Sequence, residues 1–217
     1  MSGCRQNTLD ILLKERLVAV VRTPDDTGVI RAIEALSNAG IRCFEITMTI
    51  SGAVELLRAV TTERPDLLIG AGTVLNEQQA GDCIEAGAKF IVSPVFSSDV
   101  VRRAQSLGTV VIPGALTPTE VMRAWTSGAD LVKIFPAARL GPRYLKDLKA
   151  PLPEVKLVPT GGITADNIQD YLNAGADVVC AGSSLVDNKA IANNDMETLI
   201  RKGKSFLEAI SGLQKKG

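Results

Sequence analysis

The chain of 217 residues contains no histidine. That absence excludes Ser-His-Asp and Cys-His catalysis, imidazole acid–base work and every histidine-based metal site. Any chemistry must fall to Lys, Glu, Asp, Arg, Tyr, hydroxyls or backbone groups. Cys4, Cys43, Cys83 and Cys180 form no C-x-x-C and no close pair, so they read as reduced thiols, some of them in the core. The formal net charge is zero, from 24 basic and 24 acidic residues with no charge run. This balance argues against a nucleic-acid partner or an anionic membrane surface. Apolar runs stop at about five residues, far short of the roughly 18 needed to cross a bilayer. The stretch Met1–Asp10 is polar and lacks an apolar signal region, so the chain is expected to be cytoplasmic.

What is present is a repeated alternation of strand and helix patterns. Apolar runs that read as strands are Leu17–Arg22, Cys43–Met48, Leu67–Val74, Phe90–Pro94, Val110–Ala115, Leu131–Ala137, Lys156–Gly161 and Val178–Leu185. Between them lie helical patterns such as Val29–Asn38, Ala53–Thr62, Glu77–Glu85 and Pro118–Ser127. Thr23, Asn76, Ser97, Thr117 and Thr164 follow strands and are expected to cap the next helix. Strands alternating with helices imply a parallel sheet, and near-continuous apolar strands imply burial on both faces. Eight such units predict an α/β chain folded as one (β/α)8 TIM barrel domain over residues 1–217, with a helix at Asn7–Glu15 across its bottom. An open doubly wound sheet is the alternative.

Polar residues cluster where these strands end. A lone lysine stands inside one of them, in Leu131-Val132-Lys133-Ile134-Phe135-Pro136. Burial disfavours its charged form, and a neutral amine forms a Schiff base with a carbonyl. Glu45, in Cys43-Phe44-Glu45-Ile46-Thr47, is a second interior charge and shares a strand face with Thr47 and Thr49. These two strands are the sixth and second, and alternate strands of a barrel supply one layer of side chains. Glu45 is therefore either the ion-pair partner of Lys133 or a base. Thr160-Gly161-Gly162 and Ala181-Gly182-Ser183 follow the seventh and eighth strands, where exposed N–H groups can cradle a phosphate. Dinucleotide and P-loop fingerprints are incomplete.

Taken together, Phe44-Glu45-Ile46-Thr47, Gly70-Ala71-Gly72-Thr73-Val74, Ser93-Pro94, Ile112-Pro113-Gly114, Lys133-Ile134-Phe135-Pro136-Ala137 and Pro159-Thr160-Gly161-Gly162-Ile163 resemble the KDPG/KHG aldolases. These act on 2-keto-3-deoxy-6-phosphogluconate (KDPG) and 4-hydroxy-2-oxoglutarate (KHG). The resemblance runs from about Leu17 to Leu185. It implies a homotrimeric class I aldolase, a carbon–carbon lyase, that uses no metal or organic cofactor and whose partners are small keto acids and aldehydes. It implies Lys133 as the Schiff-base residue and Glu45 as the general acid/base. Thr73 would hold the keto-acid carboxylate. Thr47, Thr49, Pro94, Phe135 and Thr160 would line the substrate pocket, and Gly161, Gly162, Gly182 and Ser183 would bind phosphate. One position departs: many members carry a carboxylate-binding arginine where this chain has Thr49. Arg22, at the end of the first strand, is the expected substitute, since a guanidinium suits a carboxylate. The departure leaves the gluconate and galactonate epimers both open. Another phosphate-binding barrel enzyme, or a non-catalytic keto-acid-binding barrel, would use the same glycines.

Overall fold

Alternate residues of each strand sort into two separate buried clusters, and this sorting places everything else. In the computed structural model, which describes residues 3–214, the order begins α1 (Gly3–Glu15), β1 (Leu17–Val21), α2 (Asp26–Asn38), β2 (Cys43–Thr47) and α3 (Ala53–Glu63). It continues with β3 (Leu68–Gly72), α4 (Glu77–Glu85), β4 (Phe90–Val92), α5 (Ser98–Ser106), β5 (Val110–Ile112), β6 (Gly114–Ala115) and α6 (Pro118–Thr126). Then come β7 (Val132–Ile134), a short turn of helix at Ala137–Arg139, α7 (Gly141–Lys149), β8 (Leu157–Pro159) and α8 (Ile168–Asn173). The last elements are β9 (Val179–Ala181), α9 (Asn188–Ala192) and α10 (Met196–Gln214). The first two residues of the polar stretch Met1–Asp10, and the last three of the 1–217 domain reading, lie outside the described residues.

Six strands pair in parallel in the order β5-β4-β3-β2-β1-β9, and three in the order β6-β7-β8. The predicted strand Val110–Ala115 is thus two pieces. Pro113 has no N–H to give a ladder, and the N–H of Gly114 turns to Val95 O. A bridge between Thr160 and Cys180 links the end of β8 to β9. The strands are also shorter than their apolar runs, because the last residues of each run turn into the loops. Two predicted caps move as well. Asp25, not Thr23, caps α2 through Gly28 N–H. Asn167, not Thr164, stands before α8, and its carboxamide accepts from Thr164 N–H.

On the outer face, residues such as Ala19, Phe44, Ile69, Val132 and Val179 pack against the helices. On the inner face, Val18, Cys43, Phe90, Leu131, Val158 and Cys180 meet one another in a second cluster. Leu9 and Leu12 of α1 belong to that inner cluster, so α1 closes the N-terminal end of the strands. Each fully buried Leu or Val contributes about 1.5–3 kcal/mol, which makes α1 part of the core. The open end is therefore the one where the strands finish.

One charge pair holds α1 in place. Asp130 follows Gly128-Ala129 and enters β7; its Oδ2 accepts from Val111 N–H at 2.9 Å and from Arg5 at 2.9 Å. Asp177, after Gly175-Ala176, repeats the device, accepting from Leu157 N–H at 2.9 Å and Lys149 Nζ at 3.0 Å. The Asp130 side chain is 2% exposed and that of Arg5 13%. Asp130→Ala strips a cation and a strand N–H of their partner at once. It is expected to cost about 3 kcal/mol, read as a lower urea midpoint with the slope unchanged; an unchanged midpoint would contradict this role.

Candidate active site

Lys133 is the middle residue of β7, paired with Gly114 on one side and Val158 on the other. Its N–H donates to Pro113 O at 2.9 Å, so the split in the fifth strand forms part of its backbone frame. Glu45 is the middle residue of β2, opposite Gly70 on β3. Both side chains are buried: Lys133 is 5% exposed and Glu45 1%. Among the described residues, no ion pair joins them. Glu45 Oε2 has no hydrogen-bond partner.

Room for the carboxyl comes from a missing side chain. A Cβ on Gly72 would stand 1.8 Å from Glu45 Oε1. The next residue, Thr73, sits at φ 61, left-handed backbone that a threonine rarely adopts. Burial pushes the Glu45 carboxyl above its ordinary range; the positive charge of Lys133, and then that of Arg22, opposes the rise. The two groups are close enough to act on each other and do not pair directly. Cys180 shares their surroundings. Its thiol is pushed up to about 12, first by burial and then by the charge of Glu45, so it stays protonated. Lys133 Nζ lies 5.1 Å from the centroid of the Phe135 ring, within cation–π range.

A cavity of about 250 Å³ lies at the finishing end of the strands. It is lined by Arg22, Phe135, Thr160, Gly161, Gly162, Gly182 and Ser183, seven residues the sequence singles out, together with Val20, Ser184, Val186 and Asn188. Gly161 and Gly162 have φ of 92 and 75, a conformation suited to glycine. Six of the candidate residues stand outside this lining: Lys133, Glu45, Pro94, Thr47, Thr49 and Thr73. Pro94 shares with Phe135 a neighbouring cavity of about 300 Å³. Thr47 is buried at the end of β2, Thr49 lies exposed in the turn beyond, and their hydroxyls are 2.9 Å apart. Thr73 is half-buried after β3. A larger hollow of about 620 Å³, among Leu13, Arg16, Lys149 and Asp177, contains none of the candidate residues.

Sequence reading missed Asn188 and the contacts that Ser184 and Gly72 make. Asn188 donates from its carboxamide to Arg22 O at 3.1 Å, fixing the backbone that carries the guanidinium. Ser184 binds Ile163 O and so ties the two glycine loops together. Asn188 belongs to no motif, whereas Ser184 ends the run Ala181-Gly182-Ser183-Ser184 that the sequence places after the eighth strand. Gly72 stands in the motif Gly70-Ala71-Gly72-Thr73-Val74, and its use becomes clear once β2 and β3 are known to be neighbours.

Two outcomes follow. Gly72→Ala should push the Glu45 carboxyl out of place and cut turnover at least tenfold while leaving the lysine in place; wild-type turnover would contradict the packing. For Glu45, the folded protein binds more protons than the unfolded one at pH values above the ordinary 4.5, so its contribution to stability falls as pH rises through that window. Glu45→Gln should therefore match the wild type in acid and gain on it as pH climbs, measured by urea unfolding. A difference independent of pH would refute the assignment.

Comparison with known proteins identifies the family. The family model described as KDPG and KHG aldolase matches residues 9–202. A 2-dehydro-3-deoxy-phosphogluconate aldolase from Treponema pallidum is 35% identical over 202 residues, covering 93% of this chain and 96% of its own. A 2-dehydro-3-deoxy-6-phosphogalactonate aldolase from Escherichia coli is 34% identical over 197 residues, covering 89% of this chain and 93% of its own. The crystal structure of KDPG aldolase from Legionella pneumophila, with pyruvate captured at low pH as a covalent carbinolamine intermediate, superposes with a TM-score of 0.85 at 30% identity, covering 92% of this chain and 97% of that one. This chain therefore belongs to the KDPG and KHG aldolase family and is an aldolase, a carbon–carbon lyase.

Proposed function

We propose that this class I aldolase cleaves 2-keto-3-deoxy-6-phosphogluconate, or its galactonate epimer, to pyruvate and glyceraldehyde 3-phosphate through a Schiff base on Lys133. It also cleaves 4-hydroxy-2-oxoglutarate to pyruvate and glyoxylate. The observation that carries the reading is a buried amine and a buried carboxyl that form no ion pair, with Phe135 beside the amine and lining a cavity walled by two glycine loops. A structural ion pair would have closed the distance between Lys133 and Glu45.

The Lys133 amine attacks C2 of the keto acid. Glu45 moves protons as the carbinolamine loses water to give the iminium. Glu45 then takes the C4 hydroxyl proton, the C3–C4 bond breaks, and its electron pair enters the iminium to give an enamine. The aldehyde leaves, C3 is protonated, and water releases pyruvate. The iminium is itself the electron sink, so the course needs no metal or organic cofactor. Burial supports Glu45 in this role, because a carboxyl raised above its ordinary range holds a proton more readily than a free one and so can give it as well as take it.

Arg22 binds the keto-acid carboxylate in place of the arginine absent at Thr49, and Thr73, held in its left-handed turn, helps it. Phe135 and Pro94 wall the pyruvyl methyl, and Thr47, Thr49 and Thr160 complete the pocket. The N–H groups of Gly161, Gly162, Gly182 and Ser183 receive the phosphate. The two sheets act as one closed (β/α)8 barrel in a single domain, a reading supported by the Thr160–Cys180 bridge and by the shared inner cluster. Assembly as a trimer rests on the family resemblance, and a cytoplasmic location on the four cysteines read as reduced thiols. Among the described residues, no helix is long and apolar enough to cross a membrane.

Steady-state cleavage of the three substrates tests the assignments. Lys133→Ala should abolish cleavage of all of them. Losing a charged hydrogen bond costs about 1.5–3 kcal/mol, so Arg22→Ala should raise KM at least roughly tenfold for phosphorylated and unphosphorylated substrates alike. A rise confined to phosphorylated substrates would move Arg22 to the phosphate, which lies in the same cavity. An unchanged KM would remove it from the site.

A further inference from the structure

The segment that follows Lys133 is stitched to the glycine loop beside it. Ala137 N–H donates to Thr160 O at 2.9 Å, and Ala138 N–H to Gly161 O at 3.1 Å. A Cβ on Gly162 would stand 2.4 Å from that of Ala138, and one on Gly161 would stand 3.4 Å from the Phe135 ring. Residues 135–138 and 160–162 are thus held as one piece.

A side chain from outside the site pins that piece. Tyr171, on α8, is 2% exposed and donates its hydroxyl to Ala137 O at 3.3 Å. Its ring packs in the outer hydrophobic cluster, and the polar tip reaches the loop. Burial pushes the phenol up, so it remains a donor across the working pH range. No step of the reaction uses this group.

We propose that Tyr171 is a positioning residue that fixes the segment Phe135–Ala138 and so couples anion binding at Gly161 and Gly162 to Schiff-base formation at Lys133. The inference rests on Lys133 as the nucleophile and on the glycines as the phosphate cradle. An anion received by the glycine N–H groups orders their loop. The two backbone hydrogen bonds carry that order to the segment bearing Phe135, whose ring stands 5.1 Å from Lys133 Nζ. A keto acid that reacts next does not have to order the segment again, so it is held more tightly. Linkage makes the effect reciprocal. Without its peg on Ala137, the segment can follow the anion without fixing the ring beside the amine.

The test is reductive trapping with pyruvate over a range of concentrations, with and without saturating inorganic phosphate at constant ionic strength. The N–C2 bond forms, the carbonyl oxygen leaves as water, and borohydride supplies the hydride that reduces the C=N bond. Intact-protein mass reports the fraction trapped. In the wild type, phosphate should lower the half-saturating pyruvate concentration about fivefold or more, the lower end of ordinary coupling. In Tyr171→Phe, which keeps the ring, the phosphate effect should fall below about twofold while Lys133 still forms its adduct. An unchanged half-saturation in the wild type overturns the coupling and needs no variant. A full phosphate effect in Tyr171→Phe, even with a lower melting temperature, overturns the role of Tyr171. No adduct at Lys133 in the wild type overturns the Schiff-base reading instead.

Discussion

The structure turns on the cost of keeping an amine and a carboxyl inside a protein without letting them neutralise each other. An unpaired buried charge is expensive, and direct pairing would make both groups inert. The frame sets them apart. Lys133 and Glu45 are central residues of β7 and β2, held by ladders on both sides. Gly72 makes room for the carboxyl by having no side chain. The protonated Cys180 thiol adds no charge of its own.

The rest of the chain serves this arrangement. Both faces of the strands are covered, so the interior is dry and field effects are strong. The bidentate Arg5–Asp130 pair fastens α1 over one end of the strands, which leaves the other end for substrate. Loops at the open end are each tied by single hydrogen bonds. Asn188 holds the backbone of Arg22, Ser184 joins the two glycine loops, and both tyrosines donate to carbonyls there, Tyr144 to Leu116 and Tyr171 to Ala137. In the proposed reaction, loops carry the recognition chemistry and packed elements hold the reactive groups.

Much of this is legible in one dimension. A charge within an apolar strand announces itself, so Lys133 and Glu45 need only the sequence. The glycine loops after the last strands announce themselves by position. What escapes is whatever depends on a neighbour distant in sequence. Gly72 matters because β3 lies beside β2, and Tyr171 because α8 passes behind the loop after β7. Pro113 splits a strand because the next N–H, that of Gly114, finds Val95 O instead. Caps move for the same reason in miniature: Asp25 outcompetes Thr23 because its carboxylate reaches Gly28 N–H. Thr49 shows the opposite limit. The resemblance leads one to expect an arginine at this position, and the fold shows only that Thr49 places its hydroxyl 2.9 Å from that of Thr47.

We propose that Lys133 reacts and that its burial beside an unpaired Glu45 makes it the reactive lysine. The most direct measurement is peptide mapping of protein reduced with borohydride in the presence of pyruvate. The account requires one adduct, on the peptide carrying Lys133, with every other lysine unmodified. Adducts spread over surface lysines, or an unmodified Lys133, would contradict it.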